Sequence, residues 1–127
     1  MTKIIIKSLK ELKLWRESVN KHINFVPTMG NLHKGHLRLI KEASMDNSKI
    51  TLVSIFINRL QFDRKKDFIN YPKSINKDIE LAFESGADAI FMPIEEEIFP
   101  ANNSNILYLK ASKKLSTVLC GAKRVGH

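Results

Sequence analysis

Residues 50–57 read Ile-Thr-Leu-Val-Ser-Ile-Phe-Ile, an apolar run interrupted only by hydroxyls. A strand with one wet face alternates apolar and polar side chains. A run this continuous, and this rich in β-branched residues, fits a strand covered on both faces, as in a parallel sheet. Parallel strands need crossover connections, usually helices, and the flanking segments supply them. Ser8 suits an N-cap with Glu11 three residues on, and Leu9, Leu12, Trp15 and Val19 can share one helical face. Residues 23–26 read as a short strand stopped by Pro27. Residues 28–36 form a loop that opens a helix with Leu37, Leu39, Ile40 and Ala43 on its apolar face, ending near residues 47–48. Residues 58–73 are polar and loop-like. Ser74 can cap a helix through residue 85, with Ile75, Ile79, Ala82 and Phe83 inward and Gly86 ending it. Residues 89–92 form a third strand closed by Pro93, and residues 95–100 a helical turn. A possible strand at 106–109 and a last helix at 112–120 follow. The order αβαβαβ with short links predicts one α/β domain, a parallel sheet with helices on both sides.

Composition narrows the partners. The 127 residues fit one small domain, and 43% hydrophobic with 27% charged residues argues against disorder. The net charge of +8 attracts anions. The lysines are scattered, however, and the longest basic run is Arg64-Lys65-Lys66, so solvated faces account for most of the charge. A nucleic-acid module would need clustered cations and aromatic platforms. Here aromatics are 8% of the chain and lie mostly in apolar segments, so nucleic acid is not expected as a partner. The single cysteine, Cys120, cannot form an intrachain disulfide and points to a reducing, cytoplasmic setting. No apolar run approaches the roughly 20 residues of a membrane span, and Ile4-Ile5-Ile6 followed by charges lacks a signal-peptide core.

The chemistry concentrates after the first strand, in Met29-Gly30-Asn31-Leu32-His33-Lys34-Gly35-His36. A loop that leaves a strand and opens a helix points free backbone N–H groups at a ligand, and the helix dipole favours an anion there. Gly30 and Gly35 permit close approach of the backbone. His33 and His36, three residues apart, can face the same spot and donate hydrogen bonds to phosphate. Other uses compete for the same residues: one histidine as a cap or packing group, the pair as metal ligands, the glycines as turn formers. The i, i+3 spacing without a neighbouring carboxylate is poor evidence for metal. Gln61, in the loop after the buried strand, offers a donor and an acceptor suited to a hydroxy acid, or is simply an exposed loop residue.

His-x-Gly-His after a strand resembles the signature of the nucleotidyltransferase superfamily, a Rossmann-like fold that adenylates small substrates. The longer string Pro27-Thr28-Met29-Gly30 with Leu32-His33 and Gly35-His36 is similar to the version in the pantothenate synthetase family. So are residues 54–58 followed by Gln61-Phe62, then Tyr71-Pro72, Ile98-Phe99-Pro100, and Gly121-Ala122-Lys123-Arg124 with His127. The resemblance implies a two-step ligation. Pantoate attacks the α-phosphate of ATP to give pantoyl adenylate and pyrophosphate, and the amine of β-alanine then displaces AMP, yielding pantothenate. It implies that Met29, Gly30, Asn31, Leu32, His33, Lys34, Gly35 and His36 line the ATP site. His33 and His36 would be catalytic, with His36 the proton donor, and Mg2+ would bridge the phosphates without a dedicated set of protein ligands. Gln61 would bind pantoate, with Asn58, Phe62 and Tyr71 in the same pocket and Pro27, Thr28 and Met29 shaping it. Arg124 would hold a carboxylate or phosphate. An alternative within the superfamily is an adenylyltransferase for a nicotinamide or pantetheine phosphate. Another is a non-catalytic ligand-binding fragment.

The sequence departs from the family at Arg59 and Val125, where proline is usual, and in length. A Gly-Glu-Lys-Asp stretch, a serine-rich loop and a C-terminal lid domain have no counterpart. The expectation is therefore that residues 1–127 are the N-terminal part of an ATP- and pantoate-binding domain, weakly active or inactive alone. The open edge and face of such a unit favour self-association, with a homodimer expected.

Overall fold

The structure, a computed structural model, describes residues 3–62, 64–71 and 73–100. The strand expected at 106–109, the helix at 112–120, and Cys120, Arg124 and His127 lie outside the described residues. Within them the element order is β1 (Ile4–Ile6), α1 (Leu9–Ser18), β2 (His22–Thr28), α2 (Lys34–Ser44), β3 (Lys49–Ile55), a 3-10 turn (Arg59–Gln61), α3 (Lys65–Ile69), α4 (Ile75–Glu84), β4 (Ala89–Phe91) and α5 (Glu95–Ile98). The strands form one four-stranded sheet in the order β1-β4-β3-β2, and every pairing is parallel.

β3 behaves as its composition demands. Six of its seven residues are buried, and its side chains feed two cores. On one face Val53 and Ile55 join Val26, Ile40, Ala82 and Ile90, covered by Leu37 and Ala43 from α2 and Ile79 and Phe83 from α4. On the other, Leu52 joins Ile6, Ala89 and Phe91 under Leu12 and Trp15 of α1 and Ile98 of α5. Fully burying an aliphatic side chain of this size contributes about 1.5–3 kcal/mol, and Ile40, Val53 and Ile90 are completely buried.

The structure corrects the sequence reading in five places. Ile4–Ile6 is a strand, pairing Ile6 with Phe91; three residues are too few to display a period, and only Ile6 is buried. β2 does not stop at Pro27 but runs to Thr28, pairing Pro27 with Ser54. Proline is tolerated because β2 is the edge strand of the described sheet. The Phe56 N–H donates to the Thr28 carbonyl, so Thr28 faces β3 and the proline's missing N–H faces the edge. Leu39 is 59% exposed, since two residues on from Leu37 is the opposite side of a helix. The polar 58–73 stretch holds the 3-10 turn and α3. Leu9 and Ile75, also expected inward, are exposed at the first position of α1 and of α4.

Candidate functional site

The carboxyl ends of β2 and β3 open into one cleft of about 400 Å3, lined by Pro27, Thr28, Met29, His36, Ser54, Phe56, Asn58, Gln61 and Tyr71. This is where ligands sit in open parallel sheets. Pro27, Thr28, Met29, His36, Asn58, Gln61 and Tyr71 were singled out in the sequence, and the fold brings them together from two loops and a helix start.

The loop after β2 is built by internal hydrogen bonds. The Thr28 hydroxyl donates to the Ser54 carbonyl at 2.9 Å and accepts the Gly30 N–H at 3.3 Å, so it holds two strand ends together. Gly30 (φ 80°) and Asn31 (φ 51°) are both left-handed, a conformation natural to glycine and tolerated by asparagine. The Asn31 and Leu32 N–H groups donate to the two oxygens of Asp78, at 2.8 and 2.9 Å. His33 then caps α2. Its Nδ1 accepts the Gly35 N–H at 2.9 Å, while the His33 N–H donates to His36 Nδ1 at 3.1 Å. This is a capping box made of two imidazoles, and the rings meet at a tilt of 39° with centroids 4.0 Å apart. The sequence suggested free amides aimed at a ligand; instead the amides of Gly30, Asn31, Leu32, His33 and Gly35 are all committed to side chains of the protein.

The same bonds fix the chemistry of the histidines. With each Nδ1 accepting a backbone N–H, the proton of each neutral ring resides on Nε2. Burial lowers the pKa of His36 below its ordinary 6.5. The neighbouring His33 lowers it further, and Asp78 opposes the shift. His36 is thus a neutral hydrogen-bond donor at pH 7. It stands in the cleft wall, and His33 lies against it without lining the cleft. Gly30, Asn31, Leu32, Lys34 and Gly35 belong to the connecting turn and helix start; Lys34, the first residue of α2, is exposed.

The loop after β3 is held differently. The Asn58 side-chain carbonyl accepts the Leu60 N–H at 3.0 Å and caps the 3-10 turn, leaving its NH2 end as the donor. Arg59 pairs with Glu95 of α5 at 2.6 Å. Phe62 does not line the cleft but meets Tyr71 edge-on, centroids 5.5 Å apart, and so supports a lining residue. Phe56 lines the cleft and faces Phe99 at 6.2 Å.

Ser54, Phe56 and Asp78 were missed as site components. Ser54 had a signal, a hydroxyl set within an apolar run. Asp78 had a clearer one, an acid four residues before Ala82, on the stripe that faces the core. No group of His, Cys, Asp and Glu that could hold a metal ion occurs among the described residues.

Comparison with known proteins adds the following. The family model described as pantoate-beta-alanine ligase matches residues 4–127. A bifunctional pantoate ligase/cytidylate kinase of Prochlorococcus marinus strain MIT 9301 is 57% identical over 127 residues, covering 100% of this chain and 25% of that protein. A pantothenate synthetase of Acidithiobacillus ferrooxidans is 40% identical over 123 residues, covering 97% of this chain and 44% of that protein. The crystal structure of the Francisella tularensis pantoate-beta-alanine ligase complexed with beta-gamma ATP and β-alanine superimposes with a TM-score of 0.86 at 35% identity, over 99% of this chain and 48% of that one. The chain therefore spans between a quarter and a half of the length of these relatives.

Proposed function

The chain belongs to the pantoate–β-alanine ligase family, and from that premise we propose that it forms the pantoate- and ATP-binding portion of an enzyme that makes pantothenate. The observation that carries this reading is the convergence of Gln61, Asn58 and His36 on one cleft with apolar walls from Pro27, Met29 and Phe56. Pantoate has a carboxylate, hydroxyls and a dimethyl centre. Side-chain amides suit the polar groups and the walls suit the methyls.

Gln61 and the Asn58 NH2 orient pantoate, and the Nε2–H of His36 donates to phosphate oxygens of ATP on the adjoining side. The pantoate carboxylate forms a bond to the α-phosphorus as the bond to pyrophosphate breaks. Negative charge gathers on the phosphate oxygens, and positioned donors lower the barrier there. In the second step the β-alanine nitrogen bonds to the acyl carbon and AMP leaves. Mg2+, for which the described residues offer no ligand group of their own, would come with the nucleotide and supply charge neutralisation at its phosphates. A homodimer in the cytoplasm is part of the same reading.

Isothermal titration tests it. The 127-residue chain is expected to bind pantoate with one-to-one stoichiometry and ATP more weakly, and Gln61→Ala is expected to abolish pantoate binding. Because the chain spans under half of the Francisella relative, little or no pantothenate should form when β-alanine is added. Failure to bind either substrate sinks the reading. Robust ligation by the isolated chain sinks the division between binding and turnover.

A further inference from the structure

Asp78 lies on the inward stripe of α4 and is 2% exposed, yet the cleft chemistry does not use it. A carboxylate buried this deeply persists only where hydrogen bonds or an opposite charge replace water. Its described partners are neutral donors: Asn31 N–H at 2.8 Å, Leu32 N–H at 2.9 Å and the Ser74 hydroxyl at 3.3 Å. The two amides are consecutive and follow the left-handed pair Gly30–Asn31. Successive N–H groups converging in this way make a concave anion receptor. Gly30 makes room for the anion, since a Cβ there would stand 3.1 Å from the Asp78 carboxylate.

The turn therefore has the form of a phosphate receptor, but its anion is part of the protein. The next amide, that of His33, bonds to His36 Nδ1, so the clamp ends one residue before the imidazole pair begins.

We infer that Asp78 is a positioning residue whose carboxylate is the resident anion of the 30–32 turn, fixing the loop that carries His33 and His36 and keeping substrate phosphate out of the turn and on the imidazole edges. The phosphate half of this inference rests on the proposed function; the clamp does not. The carboxylate also has an electrostatic role, as the group opposing the downward shift of the His36 pKa.

NMR and amide hydrogen exchange on the 127-residue chain test the clamp, with Asp78→Asn and Asp78→Ala beside the unsubstituted protein. In Asp78→Asn the Asn31 and Leu32 amides should exchange about tenfold faster or more, while β3 and β4 amides keep their protection. In Asp78→Ala, formate should restore protection at those two amides, and inorganic phosphate should shift their resonances, which it leaves unmoved in the unsubstituted chain. A purely structural aspartate would not be replaced by free formate. Unchanged exchange at Asn31 and Leu32, or a loss spread evenly across the sheet, overturns the clamp. Formate and phosphate both silent in Asp78→Ala overturns the resident-anion role. If Asp78→Ala does not fold, the exchange pattern of Asp78→Asn decides. A separate titration keeps the two readings apart: no uptake of ATP or pantoate by the unsubstituted chain defeats the proposed function, while the exchange data still judge the clamp.

Discussion

Two loops meet at the cleft and are held by opposite means. The loop after β2 commits its amides to Thr28, a buried carboxylate and, at the surface, two imidazoles. The loop after β3 is fastened by a partly buried asparagine cap and by an ion pair whose side chains are 57% and 36% exposed. Buried charge-assisted bonds are worth roughly 1.5–3 kcal/mol each and resist salt. Exposed ion pairs are worth about 0–1 kcal/mol and weaken in salt. The first loop is thus the more rigidly held of the two. The second, held in part by a solvent-screened pair, can adjust more readily.

Gly30→Ala should break this comparison most violently. Alanine at φ 80° is strained by about 1 kcal/mol. Its Cβ would also stand 3.1 Å from the Asp78 carboxylate and 3.3 Å from Ile55 Cγ2, both in buried side chains that cannot swing away. The expected loss is about 2–3 kcal/mol in urea unfolding. Gly35 is the informative contrast. A Cβ there would meet the far end of the His33 ring at 2.8 Å, so Gly35→Ala should turn the ring with a smaller loss of stability. If both substitutions cost the same, the first loop is no more rigid than its neighbour.

The next test uses pH. Protonating His36 places a hydrogen on Nδ1, which then cannot accept the His33 N–H, and that half of the capping box of α2 is lost. The folded pKa lies below the ordinary 6.5, from burial first and His33 second. A depressed folded value means that the neutral ring favours the fold. Its contribution is complete above about pH 6.5 and is lost as pH falls through the folded pKa. The loss should be about 1 kcal/mol, the usual worth of an N-cap. Urea unfolding between about pH 5 and 7.5 should show this slope, and His36→Gln should flatten it. A slope that survives His36→Gln unchanged assigns the titration to another group.

These contrasts also explain what the sequence disclosed. The apolar run at 50–57 demanded a doubly covered parallel strand, which the fold places at Lys49–Ile55, and the turn residues along the chain located α1, α2 and α4. His36 was flagged by its spacing from His33 behind a strand, whereas Met29 and Gln61 were singled out through the family resemblance; all three line the cleft. Ile4–Ile6 was not readable, since its pairing partner Ala89–Phe91 lies more than eighty residues away and three residues carry no period. Asp78 was passed over for a related reason. Its meaning depends on amides 46 and 47 residues distant, and only the fold brings them together. Pro27 read as a strand stop because sequence alone does not reveal which side of a strand faces an edge.

Arg59 supplies the smallest and most selective test. The family resemblance leads one to expect proline there, and the local backbone would accept it. Asn58 is extended, with φ −82° and ψ 106°, and Arg59 is the first residue of the 3-10 turn, both favourable to a following proline. In its place the chain has a cation reaching across to Glu95 of α5. One device restrains the loop through the backbone, the other through a screened pair. Arg59→Pro should therefore leave stability within about 1 kcal/mol of the original, the lost pair offset by a less flexible unfolded chain. Glu95→Gln should cost up to about 1 kcal/mol in the original background at low salt, less at about 1 M salt, and nothing beside Arg59→Pro. Urea unfolding of the four proteins at both ionic strengths measures the coupling. A Glu95→Gln effect that persists beside Arg59→Pro would mean that α5, rather than the loop, depends on the charge.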